Sequence, residues 1–96
     1  MPWKRTPTAN MVWEQLTPRQ SREIRAALDH LAMLPDVDSE PNVGTLRIGS
    51  QPVKVLRLRN GYRVFFRRED EQIVVFDIAS PAQIDFFRPA HDGAAA

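Results

Sequence analysis

VKVLRLRNGYRVFFRREDEQIVVFDIAS, residues 53–80, is the stretch from which the fold is read. β-Branched and aromatic residues fill 53–58, 62–68 and 73–79, and Asn60-Gly61 and Glu69-Asp70-Glu71 separate them, so three strands joined by tight turns are predicted. A type I′ turn needs positive φ at both central residues, which Asn tolerates and Gly adopts freely. Asn60-Gly61 therefore predicts a two-residue hairpin and an antiparallel meander. In that register Leu58 faces Arg63, Leu56 faces Phe65 and Lys54 faces Arg67. One face would carry Lys54, Leu56, Leu58, Arg63, Phe65 and Arg67. The other would carry Val53, Val55, Arg57, Arg59, Tyr62, Val64, Phe66 and Arg68. Helices would cover one face and leave the other partly open and basic.

The charge pattern makes that open face informative. Arg47, Lys54, Arg57, Arg59, Arg63, Arg67 and Arg68 fall in residues 47–68 with no acidic residue among them, although the whole chain has a formal charge of only +1. Charge is segregated by element, which points to a polyanion or an acidic protein as partner. Arg67 and Arg68 also stand next to Glu69, Asp70 and Glu71, so pairing across the turn is the simpler expectation for these two. Phe65 and Phe66 are expected in the core.

Upstream, Thr17-Pro18-Arg19-Gln20 is a helix start, with Thr as N-cap, Pro at the first helical position and Gln able to complete a capping box. Ile24, Ala27, Leu28, Leu31 and Leu34 then recur at three- and four-residue spacing, and Pro35 ends the helix. A shorter helix is expected over 9–16, capped by Thr8, after an edge strand at 3–6 that Pro7 stops. Residues 36–42 read as an acidic connector, 44–49 as a short strand or loop, and 82–87 as a helical turn. The predicted class is α/β (α+β), with an N-terminal αα-hairpin packed on a small twisted antiparallel sheet of three to four strands.

Ninety-six residues suit one domain, expected over 1–90, followed by a disordered tail at 91–96. With no apolar run of membrane-spanning length and a polar start after Met1, no membrane association and a cytoplasmic location are expected. Zero cysteines exclude disulfides, thiolate ligands and a cysteine nucleophile. His30 and His91 are the only histidines, so neither a metal site nor a cofactor is expected.

Taken in order, the helical LTPRQSREIRAALDHLAMLP ending in proline, the connector, and LRLRNGYRVFFRREDEQIVVFDI resemble the RelE/ParE superfamily of type II toxin-antitoxin toxins. The resemblance runs over residues 3–87. It implies one of two activities: RelE-like members cut messenger RNA in the ribosomal decoding site, and ParE-like members poison DNA gyrase. By that resemblance Arg63, in Gly61-Tyr62-Arg63, matches the arginine that contacts the scissile phosphate, and Arg59 the motif's other arginine; both are the expected catalytic residues. Lys54, Arg57 and Arg67 are the expected RNA-phosphate contacts. The resemblance also implies a cognate antitoxin protein as partner, with the ribosome and its message as target.

RNA cleavage by the 2′-hydroxyl needs a base, a charge stabiliser and an acid for the leaving oxygen. Arginine supplies the second well and the first poorly. After the last strand the family's nucleases place His, Arg or Lys and then Tyr, whereas residues 79–87, ASPAQIDFF, contain none of these. The leading expectation is thus a ribosome-dependent mRNA endoribonuclease (mRNA interferase) that inhibits translation. The alternatives are a gyrase inhibitor without nuclease activity, or a degenerate member that only binds its antitoxin.

Overall fold

Local cues set the first elements of the computed structural model, which describes residues 2–83. Strand β1 is Trp3–Arg5 and helix α1 is Pro7–Trp13. Thr6, not Thr8, caps α1, its hydroxyl accepting the Ala9 amide at 3.3 Å. Pro7 takes the first helical position, where its missing N–H costs nothing, so the helix starts two residues earlier than expected. Helix α2, Pro18–Ala32, opens on the predicted capping box: the Gln20 amide donates to Thr17 Oγ1 at 3.2 Å, and the Thr17 amide to Gln20 Oε1 at 2.9 Å. Its buried residues are Ile24, Leu28 and Leu31.

The sheet adds β2 (Val43–Ile48), β3 (Gln51–Arg57), β4 (Arg63–Glu69) and β5 (Gln72–Ala79), in the order β1-β5-β4-β3-β2. It has five strands rather than three or four, and β1 runs parallel to β5, with Trp3 opposite Ile73 and Arg5 opposite Val75. Three residues cannot show an alternating pattern, so no sequence cue distinguished this pairing. Nor do the two helices form a self-packed hairpin. Helix α1 packs on β5, while α2 joins Leu56, Val64, Phe66, Ile73, Val75 and Ile78 in one core.

The β3–β4 turn departs from the predicted register. Leu58 N donates to Tyr62 O at 2.9 Å and Gly61 N to Leu58 O at 3.0 Å, so residues 59–61 form a three-residue loop. Only Gly61, at φ +90°, is left-handed there. This is a type I turn closed by a glycine bulge, the other hairpin geometry that Asn-Gly serves. The added loop residue shifts every pair by one, so Leu56 faces Val64 and Lys54 faces Phe66. A one-residue slip exchanges the faces of a strand. The predicted partition is therefore corrected: Val64 and Phe66 join Leu56 beneath the helices, and Arg63, Phe65 and Arg67 join Val53, Val55 and Arg57 on the other side. The type I′ turn occurs instead at Asp70-Glu71, with φ 51° and 68°.

A cluster of rings and cations fastens β1 to both helices. Trp3 is 2% exposed, and its Nε1 donates to Asp29 Oδ1 at 2.7 Å. Its ring centroid lies 5.7 Å from that of Trp13, and the Arg5 guanidinium sits 4.3 Å from the Trp13 centroid. Arg25 also stacks over both rings. Burial, then the nearby Arg25 charge, lower the pKa of Arg5, with Glu14 acting in the opposite direction.

Candidate functional site

Register determines which cations share a surface. Arg57 stands directly opposite Arg63. The Arg57 amide donates across the other seam to Asn42 O at 2.9 Å. On the β3–β4 seam the pair is thus the non-hydrogen-bonded kind, with Cα atoms about 4.5 Å apart and side chains at their closest approach. Neither guanidinium has an ion pair, hydrogen bond or ring partner among the described residues. Like charges directly opposite one another destabilise a sheet. The arrangement is relieved by an anion placed between them, and a phosphate presents oxygens that match two guanidinium forks.

The ground beneath these arginines is apolar. Val53, Val55 and Val74 are buried but stand apart from the helix-side core. Arg67 lies on this same face, yet its Nε bonds Glu69 Oε2 and its guanidinium stacks 5.9 Å from the Phe76 centroid. It is partly engaged, as its neighbouring acids suggested. Lys4 of β1, paired with Val74, adds a cation to this side that sequence reasoning missed.

The same register exposes a carboxylate that sequence reasoning also passed over. Asp77 pairs with Phe65, while Arg63 pairs with Ala79. Asp77 is thereby a diagonal neighbour of Arg63 on the open face, at about 7–8 Å. It is exposed, and its Oδ1 accepts the Ile78 amide at 2.8 Å. The available signal was in the sequence: Asp77 is the only charged residue in 73–79. A carboxylate, two guanidiniums and an apolar floor thus share one face of the sheet.

The other candidates lie elsewhere. Lys54 is on the helix side, paired with Asp38 at 2.8 Å and hydrogen bonded to Thr45 Oγ1 at 2.9 Å. Arg59 sits in the turn and lines hollows between that turn and α2. Arg68 donates to Leu34 O at 3.1 Å and Pro35 O at 3.3 Å, where a cation complements the C-terminal end of α2. Tyr62 packs against the helix-side core. The expected basic surface therefore reduces to Arg57 and Arg63, flanked by Arg67 and Lys4. Among the described residues no group of His, Asp or Glu is placed to hold a metal. No described helix is long and apolar enough to cross a membrane.

No family model matches the sequence, and no curated protein matches it. Among solved structures the chain is similar to one from the intact E. coli RelBE toxin-antitoxin complex. The TM-score is 0.55 at 14% identity, over 81% of this chain and 93% of that one. With its five-stranded sheet and two covering helices among the described residues, this chain shares the fold of that chain of the RelBE complex.

Proposed function

We propose that the chain is the toxin of a toxin-antitoxin pair and that it cleaves messenger RNA on the ribosome, inhibiting translation in the cytoplasm. The observation that carries this reading is the Arg57–Arg63 pair, which has no ion pair among the described residues, on one face of a RelE-like fold. The two guanidiniums hold the non-bridging oxygens of one phosphate, where negative charge grows as the phosphorane forms. Asp77 takes the proton of the 2′-hydroxyl as its oxygen attacks phosphorus. The bond to the 5′-oxygen breaks, and that oxygen takes a proton from water. The products are a 2′,3′-cyclic phosphate and a 5′-hydroxyl. The partner is a short antitoxin whose acidic segment covers Arg57 and Arg63, closing the phosphate route through charge-assisted hydrogen bonds.

Induced expression in translating cells, with RNA ends mapped, tests this. Wild type yields cut messages; Arg63→Ala yields none, and Asp77→Asn slows cutting about 100-fold, the lower range for a lost general base. Intact messages in growth-arrested cells reject the nuclease. A second reading, a gyrase inhibitor, is favoured by one observation: among the described residues neither a histidine nor a tyrosine shares the face of Arg63. It predicts whole messages with accumulating DNA breaks. Expression without growth arrest would instead mark a member that only binds its antitoxin.

A further inference from the structure

Phe65 is an aromatic residue that neither the core nor the proposed phosphate chemistry uses. It is half-buried, lies outside the helix-side core, and has no ring or cation partner among the described residues. Along β4 it follows Arg63 by two residues, so the two share a face with their Cα atoms about 7 Å apart. Across the sheet it faces Val55 on one side and Asp77 on the other.

The sheet is irregular beside this ring. The β4–β5 register shifts between Phe65 and Phe66, so Asp77 pairs with Phe65, Val75 pairs with Phe66, and Phe76 is the extra residue of a β-bulge. Bulges re-aim side chains and are common next to functional sites. The Arg67 guanidinium, 5.9 Å from the Phe76 centroid, puts that second ring on the same face. Phe76 is stacked on a cation, and Phe65 stands free next to the Arg57–Arg63 pair.

Cations interleaved with an accessible ring are what an unpaired strand of nucleic acid requires, because arginines hold its phosphates and every base has a π-face to lay on the ring. An acidic peptide would use the cations and leave the ring without a partner. A duplex would keep its bases stacked on one another. We infer that Phe65 is a stacking platform for one unpaired RNA base, the base immediately 5′ of the phosphate held by Arg57 and Arg63, and that it favours a purine there. Two residues along a strand match the reach from a phosphate to the neighbouring base, and they leave the intervening ribose, with its 2′-hydroxyl, beside Asp77. The larger purine ring overlaps the phenyl ring more fully, so stacking strength sets the preference. The inference rests on the reading of Arg57 and Arg63 as phosphate contacts.

Calorimetric titration of the full chain with uncleavable 2′-O-methyl oligoadenylate, oligouridylate and the same backbone without bases tests this. Wild type should bind the adenylate tightest, the uridylate severalfold weaker and the base-free backbone weakest. As adenylate binds, the Phe65 ring protons should move upfield, the ring-current signature of a base lying over them. Phe65→Leu keeps an apolar cover over Val55 but has no π-face; it should weaken adenylate binding about tenfold, one lost stack, and leave the base-free backbone unaffected. Phe65→Tyr, which keeps the ring, should bind as wild type does, and thermal melting confirms that both variants are folded. Arg63→Ala should weaken all three ligands alike. Equal affinities of wild type for the three backbones, or undiminished adenylate binding by Phe65→Leu, would overturn the inference and leave the Arg57–Arg63 reading standing. Failure of every oligonucleotide to bind would overturn both.

Discussion

Among the described residues no carboxylate separates Arg57 from Arg63, so these residues oppose the stability of the sheet that carries them. Replacing either with Thr, a good strand former, removes the repulsion while keeping the strand. Arg57→Thr is expected to raise stability by about 0.5 kcal/mol and to lower the activity under test, since functional sites commonly hold such strain. Urea denaturation reads the first effect and message cleavage the second. A destabilised Arg57→Thr would mean that the arginine stem contributes packing that outweighs its charge. Two other residues make the opposite kind of test. Glu71 holds φ 68° in the β4–β5 turn, a conformation costing a non-glycine residue about 1 kcal/mol, so Glu71→Gly should raise the thermal midpoint by several degrees. At Gly61, φ +90° already disfavours a side chain, and a Cβ there would meet Pro81 Cγ at 2.8 Å. Gly61→Ala should therefore cost at least about 1–2 kcal/mol, seen as a lower urea midpoint.

Among the elements, some were legible in the sequence and others were not, for physical reasons. Helix α2 could be read because cap, proline, glutamine and apolar spacing all specify the same start and the same face. The three meander strands could be read from composition. Their faces could not, because Asn60-Gly61 fits both a two-residue and a three-residue hairpin, and the choice moves the register by one. That single ambiguity put Phe65 rather than Phe66 on the face of Leu56; Phe66 is buried in the core as expected, whereas Phe65 is half-exposed on the opposite face. It also separated Arg57 from Arg63 on paper and brought Lys54 and Arg63 together. Strand β1 was legible only as an edge of uncertain place. Its parallel partner lies some seventy residues away, and the pairing rests on Trp3 filling the core rather than on any local pattern.

For the whole molecule, a formal charge of +1 means that polyanion binding must come from local geometry rather than net attraction. Of the seven cations between residues 47 and 68, Lys54, Arg67 and Arg68 are engaged by neighbouring groups. If Arg57 and Arg63 together hold one phosphate, affinity for a single-stranded RNA oligonucleotide should fall with salt at a log–log slope of only about −0.7, from one neutralised phosphate. A slope near −5 would mean that the whole basic set touches the backbone and that the ion pairs open on binding.

Pairing of the first strand with the last also has a bearing on how the molecule is made. Trp3 finds its neighbour only once Ile73 has been synthesised and released from the exit tunnel, so the nascent chain cannot seat its tryptophan, or close the adjoining helix against β5, until that strand has emerged. Any surface that depends on the completed sheet is therefore absent from the growing polypeptide until β5 is free to pair on both its edges.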